Sequence, residues 1–184
     1  AAPRTATRTS TRSSTATFTT NPDEASLPVM KTLIHLAWGS TVLTKALYLL
    51  IGLSVESPTA EGAQAPMILV VMGSIGVLGA LAGALLSRQI YTNPKIYTSK
   101  LAPPVYIAGM RVPNNTAEGR LFSYALMCLG MAETAAVFGL VGSLMTGNHA
   151  FLYAMIGVSL GSWLLQCPRY REFETNVLAA LRNP

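Results

Sequence analysis

Charge is scarce in this chain. Asp, Glu, Lys and Arg make up 11% of its 184 residues, against about 25% in a soluble domain. With 51% hydrophobic residues and a mean hydropathy of +0.41, that scarcity excludes an ordinary water-soluble globule. Cysteine is nearly missing too. Cys128 and Cys167 each fall inside or at the edge of an apolar run, which excludes a disulfide framework or a cysteine metal cluster and reads as small buried hydrophobes. The two histidines, His35 and His149, have no second histidine at helical spacing, so no metal is expected. No nucleophile constellation, phosphate loop or carboxylate pair stands out, and Glu56 and Glu61 sit in a short polar loop. An enzyme is not expected.

Long apolar runs are what the chain does have. A hydrocarbon core about 30 Å thick needs about 20 apolar residues per helix. Four runs, at 30–55, 66–87, 121–146 and 149–167, meet or approach that length. Net charge is +5, but the basic residues form no single patch, which argues against nucleic acid. They sort by side instead. Arg4, Arg8, Arg12 and Lys31 precede the first run. The loop before the second run has two glutamates and no base. Arg88, Lys95, Lys100, Arg111 and Arg120 lie between the second and third, and Arg169, Arg171 and Arg182 follow the fourth. Lys and Arg on alternating sides put both termini on the inner side. The expected fold is therefore an all-α integral membrane protein with four transmembrane helices and a C-terminal amphipathic helix. Its parts are a basic Ser/Thr-rich tail (1–28), a four-helix domain (29–167) and an amphipathic segment (168–184).

Residues 1–20 carry Arg, Ser, Thr and Ala and no acid before Asp23, a composition like that of organellar transit peptides. Too apolar-poor to fold alone, the tail is expected to lie along a partner. The segment 88–120 is long for a loop and holds Pro94, Pro103, Pro104 and Pro113, so extended structure and turns are expected, with Thr116 and Glu118 capping the third span. Its Tyr91, Tyr97 and Tyr106 suit a membrane interface or a partner surface. After Pro168, Tyr170, Phe173, Val177, Leu178 and Leu181 share one helical face, as in a helix lying on the membrane or on a partner.

Small residues line the spans. Gly73, Gly76, Gly79 and Gly83 mark the second, Gly139 the third, and Gly157 and Gly161 the fourth. Such faces let helix backbones approach closely, within the chain or between subunits.

Two ionisable residues sit deep inside apolar runs. Lys45 falls 12 residues after Leu33, and Glu133 falls 12 residues after Leu121. If those leucines mark entry into hydrocarbon, both charges lie about 18 Å in. An isolated charge there is costly and marks a pairing site or a proton pathway. Equal depth favours a Lys45–Glu133 ion pair. The alternative has Lys45 reaching outward to the surface and Glu133 protonated. His35, near the inner end of the first run beside Trp38, is either an interfacial hydrogen-bonding group or a tetrapyrrole ligand. No other cofactor is expected.

The run AETAAVFGLVGSLM, residues 132–145, resembles the outer helix of the proteolipid c subunit of rotary ATP synthases. GSIGVLGALAGALLSRQ in the second run, ending in Arg88-Gln89, is similar to that family's glycine-rich inner helix and polar loop. The resemblance covers the second and third runs only. It implies a helical hairpin with Glu133 at the position of the proton-carrying carboxylate. Lys45 has no counterpart in that family, and segment 88–120 replaces a very short loop. The expected role is accordingly a non-catalytic accessory subunit of an energy-converting membrane complex. It would bind other membrane subunits and the lipid bilayer through glycine faces and an extended tail. The expected location is an energy-transducing inner membrane, mitochondrial by preference, with a thylakoid or bacterial inner membrane as the other settings. The alternative function is a proton-translocating c-like subunit with Glu133 as carrier.

Overall fold

A computed structural model describes residues 27–55, 64–98, 106–107, 110–111 and 116–182. The N-terminal tail and most of the first loop lie outside the described residues. Four long helices account for most of the rest. They are α1 (Leu27–Ser54), α2 (Gln64–Thr92), α4 (Ala117–Thr146) and α5 (His149–Leu165). A one-turn α3 (Lys95–Thr98) follows α2, and two-residue strands, β1 (Tyr106–Ile107) and β2 (Met110–Arg111), pair antiparallel in the segment expected to be extended. The chain ends in α6 (Tyr170–Glu172), a π-helical turn (Phe173–Leu178) and α7 (Ala179–Arg182).

Three helices, α1, α2 and α4, are long and apolar enough to cross a membrane. The structure is thus helical and compatible with a membrane location. The fourth run is the exception. α5 has 17 residues, about 25 Å at 1.5 Å per residue, and the chain then bends by 41° into the C-terminal helix. Pro168 removes a backbone donor at that break.

α4 is the central element. It contacts α1, α2 and α5 and buries 44% of its most apolar window, whereas α1 buries 11%. α4 starts where the sequence signals it. Thr116 is the N-cap, its hydroxyl accepting from Gly119 N at 3.0 Å. It stops at Gly147, which adopts φ 69° and donates its N–H to Ser143 O, the left-handed cap that glycine allows without a Cβ clash. Asn148 then caps α5, accepting from Phe151 N at 3.2 Å. His149, the first residue of α5, turns Nδ1 toward Ser143 Oγ at 3.5 Å.

The glycines divide into two groups. A Cβ on Gly79 would collide with Thr134 Oγ1, and one on Gly83 would lie 2.8 Å from Cys128 O. A Cβ on Gly76 would be 3.0 Å from Ala135 Cα, and Gly73 and Gly139 face Phe151 and Met155. These five let α2, α4 and α5 approach one another. Gly157 and Gly161 behave differently, for nothing lies within 4 Å of a Cβ built on either.

The main core sits at the end of the bundle where α1 begins and α2 finishes. Met30 and Ile34 of α1, Ile90 and Tyr91 of α2, Tyr97 of α3, Leu121 to Cys128 of α4, and Phe173 and Val177 of the C-terminal helix form one cluster. Two expectations change here. Tyr91 and Tyr97 lie inside the chain's own core rather than at an interface, 2% and 0% exposed. The reason is local. The Tyr97 hydroxyl donates to Ile90 O at 2.5 Å, and the Arg120 guanidinium donates to Tyr97 O. Burial pushes the Tyr97 phenol above its ordinary value. The apolar face of the C-terminal helix is likewise occupied by this chain. Phe173 and Val177 are fully buried, because the bend after α5 folds that face back onto α2 and α4.

Candidate functional site: a buried ion pair between helices

Lys45 is on the α1 face turned toward α4, and Glu133 lies midway along α4. Their side chains meet, with Lys45 Nζ paired to Glu133 Oε1. The lysine side chain is 3% exposed and the glutamate side chain 16%. Lys45 Nζ also donates to Thr41 O, one turn back on α1, at 3.2 Å. The ammonium thus has two acceptors. The carboxylate is less complete, since Oε2 is buried without a hydrogen-bond partner. Each charge offsets the other where water cannot. Removing either partner leaves a buried charge alone, which is far costlier than removing both.

Around this pair, polar side chains join one helix to the next. Ser159 Oγ of α5 donates to Ala132 O, the residue before Glu133, at 2.8 Å. Ser162 Oγ donates to Ala80 O of α2 at 2.7 Å, and Gln166 Nε2 donates to Ser162 Oγ at 3.0 Å. Trp38 of α1 and Trp163 of α5 stack with ring centroids 4.0 Å apart. Each indole donates to the other residue's backbone carbonyl, Trp163 Nε1 to Trp38 O at 2.8 Å and Trp38 Nε1 to Trp163 O at 3.3 Å. Beside Gln166, a cavity of about 10 Å³ is lined by Ile34, Trp38, Tyr91 and Cys128 among others, the size of one water molecule.

His35 belongs to a separate cluster, where α1 meets the C-terminal helix. Its Nδ1 is 3.2 Å from the Tyr170 hydroxyl, which donates to Lys31 O at 3.1 Å. Lys31 pairs with Glu174 and lies over the Tyr170 ring, 5.4 Å from its centroid. The imidazole therefore helps hold α1 to the C-terminal helix. Among the described residues, no group of three His, Cys, Asp or Glu side chains is placed to hold a metal ion.

The structure thus brings Lys45 and Glu133 together and keeps His35 apart from them. Sequence reasoning missed Ser159, Ser162, Gln166 and Trp163. A signal was present in the spacing of three and four that places Ser159, Ser162 and Gln166 on one face of α5, a polar stripe in a run otherwise apolar. Chemically, the assembly neutralises charge and satisfies donors. No family model, curated protein or solved structure matches the chain.

Proposed function

We propose that this chain is a non-catalytic structural subunit of a larger energy-converting membrane complex, with four spans and both termini on the inner side. The observation that supports the reading most is the Lys45–Glu133 pair. A carboxylate paired with a buried ammonium is a strut, not a carrier that must turn neutral before facing lipid. The two open glycines on α5 support it further. Gly157 and Gly161 are exposed on one face of a helix whose opposite face is spent on α2 and α4. Small-residue faces of this kind receive a neighbouring helix. The likeness of residues 132–145 to a rotary proteolipid favours an energy-transducing inner membrane, mitochondrial by preference, and the basic tail would lie along inner-side partners.

The test is assembly. In Gly157→Ile/Gly161→Ile protein, co-purification of the partner subunits in mild detergent falls severalfold while the isolated chain keeps its melting temperature. Unchanged recovery of the same partners overturns the reading.

One observation favours a second reading, proton carriage by Glu133, namely the buried and unpartnered Oε2. A hydrophobic carbodiimide separates the two, because it modifies only protonated membrane carboxyls. A strut stays unlabelled in the native protein and becomes labelled in Lys45→Ala. A carrier is labelled in both.

A further inference from the structure

An open groove of about 700 Å³ runs between the C-terminal end of α2 and the start of the C-terminal helix, lined by Leu85, Leu86, Arg88, Gln89, Thr92, Arg169 and Glu172. Leu85 lies at its apolar end, and beyond the groove the same face of α2 continues through Leu81 and Leu78. Leu78, Leu81 and Leu85 form an outward stripe on α2, 64%, 53% and 58% exposed, and the stripe leads straight to Arg88, one turn further on. Across the groove stands Arg169, whose guanidinium is 3.4 Å from Glu172 Oε1. Both members of that pair are about two-fifths exposed, so the pairing is weak and leaves the guanidinium available. Arg88 is tied to its own helix through its backbone carbonyl, which accepts from Thr92 Oγ1 at 3.0 Å. Two guanidiniums against one carboxylate leave the groove net positive.

We propose that this groove binds one anionic phospholipid. Arg88 and Arg169 hold the phosphate, Gln89 donates to the headgroup, and an acyl chain lies along Leu85, Leu81 and Leu78. Planar guanidiniums match phosphate oxygens, and basic pockets between helices on the inner side are where anionic headgroups settle. The apolar stripe is what selects a lipid over a free phosphate ion, since a soluble anion has no use for it. The inference rests on the proposed spanning topology, with this end of α2 on the inner side, and not on the chain being a subunit.

The test uses the full chain in mild detergent, titrated with dioleoyl phosphatidylglycerol and read by native mass spectrometry. Dioleoyl phosphatidylcholine and inorganic phosphate serve as comparison probes. Phosphatidylglycerol is expected to bind one to one and in preference to phosphatidylcholine. Arg88→Gln and Arg169→Gln each weaken it about fivefold, and the double variant about twenty-five-fold. Arg171→Gln removes the same charge from an exposed position outside the groove and leaves binding unchanged. An equal loss in Arg171→Gln reduces the effect to general surface charge and overturns the proposal. Inorganic phosphate displacing the lipid at equal concentration overturns it as well, and so does wild-type binding in the double variant. Lipid-free melting temperatures of all variants separate a lost site from a lost fold.

Discussion

Lys45 and Glu133 are separated by 88 residues in sequence and meet within the bundle. Breaking their contact leaves one buried charge alone. Lys45→Met strands a buried carboxylate, and unfolding in detergent should show a loss of about 3–5 kcal/mol. Glu133→Met strands the ammonium, with a loss of similar size. The Lys45→Met/Glu133→Met double variant should regain most of that stability, because no charge is left alone. Additive losses in the double-mutant cycle would mean that the two groups do not depend on each other. The tryptophan pair gives a smaller effect. Trp163→Phe removes one indole donor and part of the stacked surface, and a loss of about 1–3 kcal/mol is expected in the same assay. The lysine and glutamate could be matched from the sequence because both are charged and equally deep. Trp38 and Trp163 could not, since their reciprocal bonds go to backbone carbonyls, which look alike in every residue.

At the scale of helices, the glycines predict opposite outcomes from one chemical change. Gly79→Leu puts a side chain into Thr134, and Gly83→Leu puts one into the backbone of α4, so each should lower the melting temperature sharply or prevent folding. Gly157→Leu meets open space and should leave the isolated chain as stable as before. The sequence shows small-residue faces on α2, α4 and α5 but does not say which of them another helix covers. That depends on how the helices rotate, which the sequence alone does not fix and which contacts between helices such as Ser159 Oγ to Ala132 O and Ser162 Oγ to Ala80 O accompany. The destination of the C-terminal helix is hidden from the sequence for a related reason. Tyr170, Phe173 and Val177 announce an apolar face, but only the 41° bend after α5 directs it inward. Truncation after Pro168 should therefore destabilise the bundle itself by uncovering Tyr91, Tyr97 and Leu121, and proteolysis should accelerate near the end of α2 and the start of α4.

For the whole molecule, the alternation of basic segments predicts sidedness. Single cysteines introduced at Ser57 and at Asn183, in a background lacking Cys128 and Cys167, should react with a membrane-impermeant maleimide from opposite sides. Labelling from the same side would remove one span, and α5 is the one at risk, at 17 residues. The four long helices and their rough boundaries were legible because long apolar runs stand out in the sequence, and three of those helices are long and apolar enough to cross a membrane. The main core was not, because residues 88–120 look like a loop and yet deliver Ile90, Tyr91 and Tyr97 to it.

The sequence distance between the paired charges also has a meaning in time. Translation at about 5–20 residues per second delivers Glu133 roughly 4–18 seconds after Lys45. In the proposed spanning arrangement, the first helix for that interval carries a solitary cation into the bilayer or waits at its edge. Insertion in that arrangement would be retroactive, with α4 completing what α1 began. A translation-arrest force sensor should register a stronger pull as Glu133 reaches the membrane than the same nascent chain carrying Lys45→Ala, whose α4 pulls through its apolar surface alone.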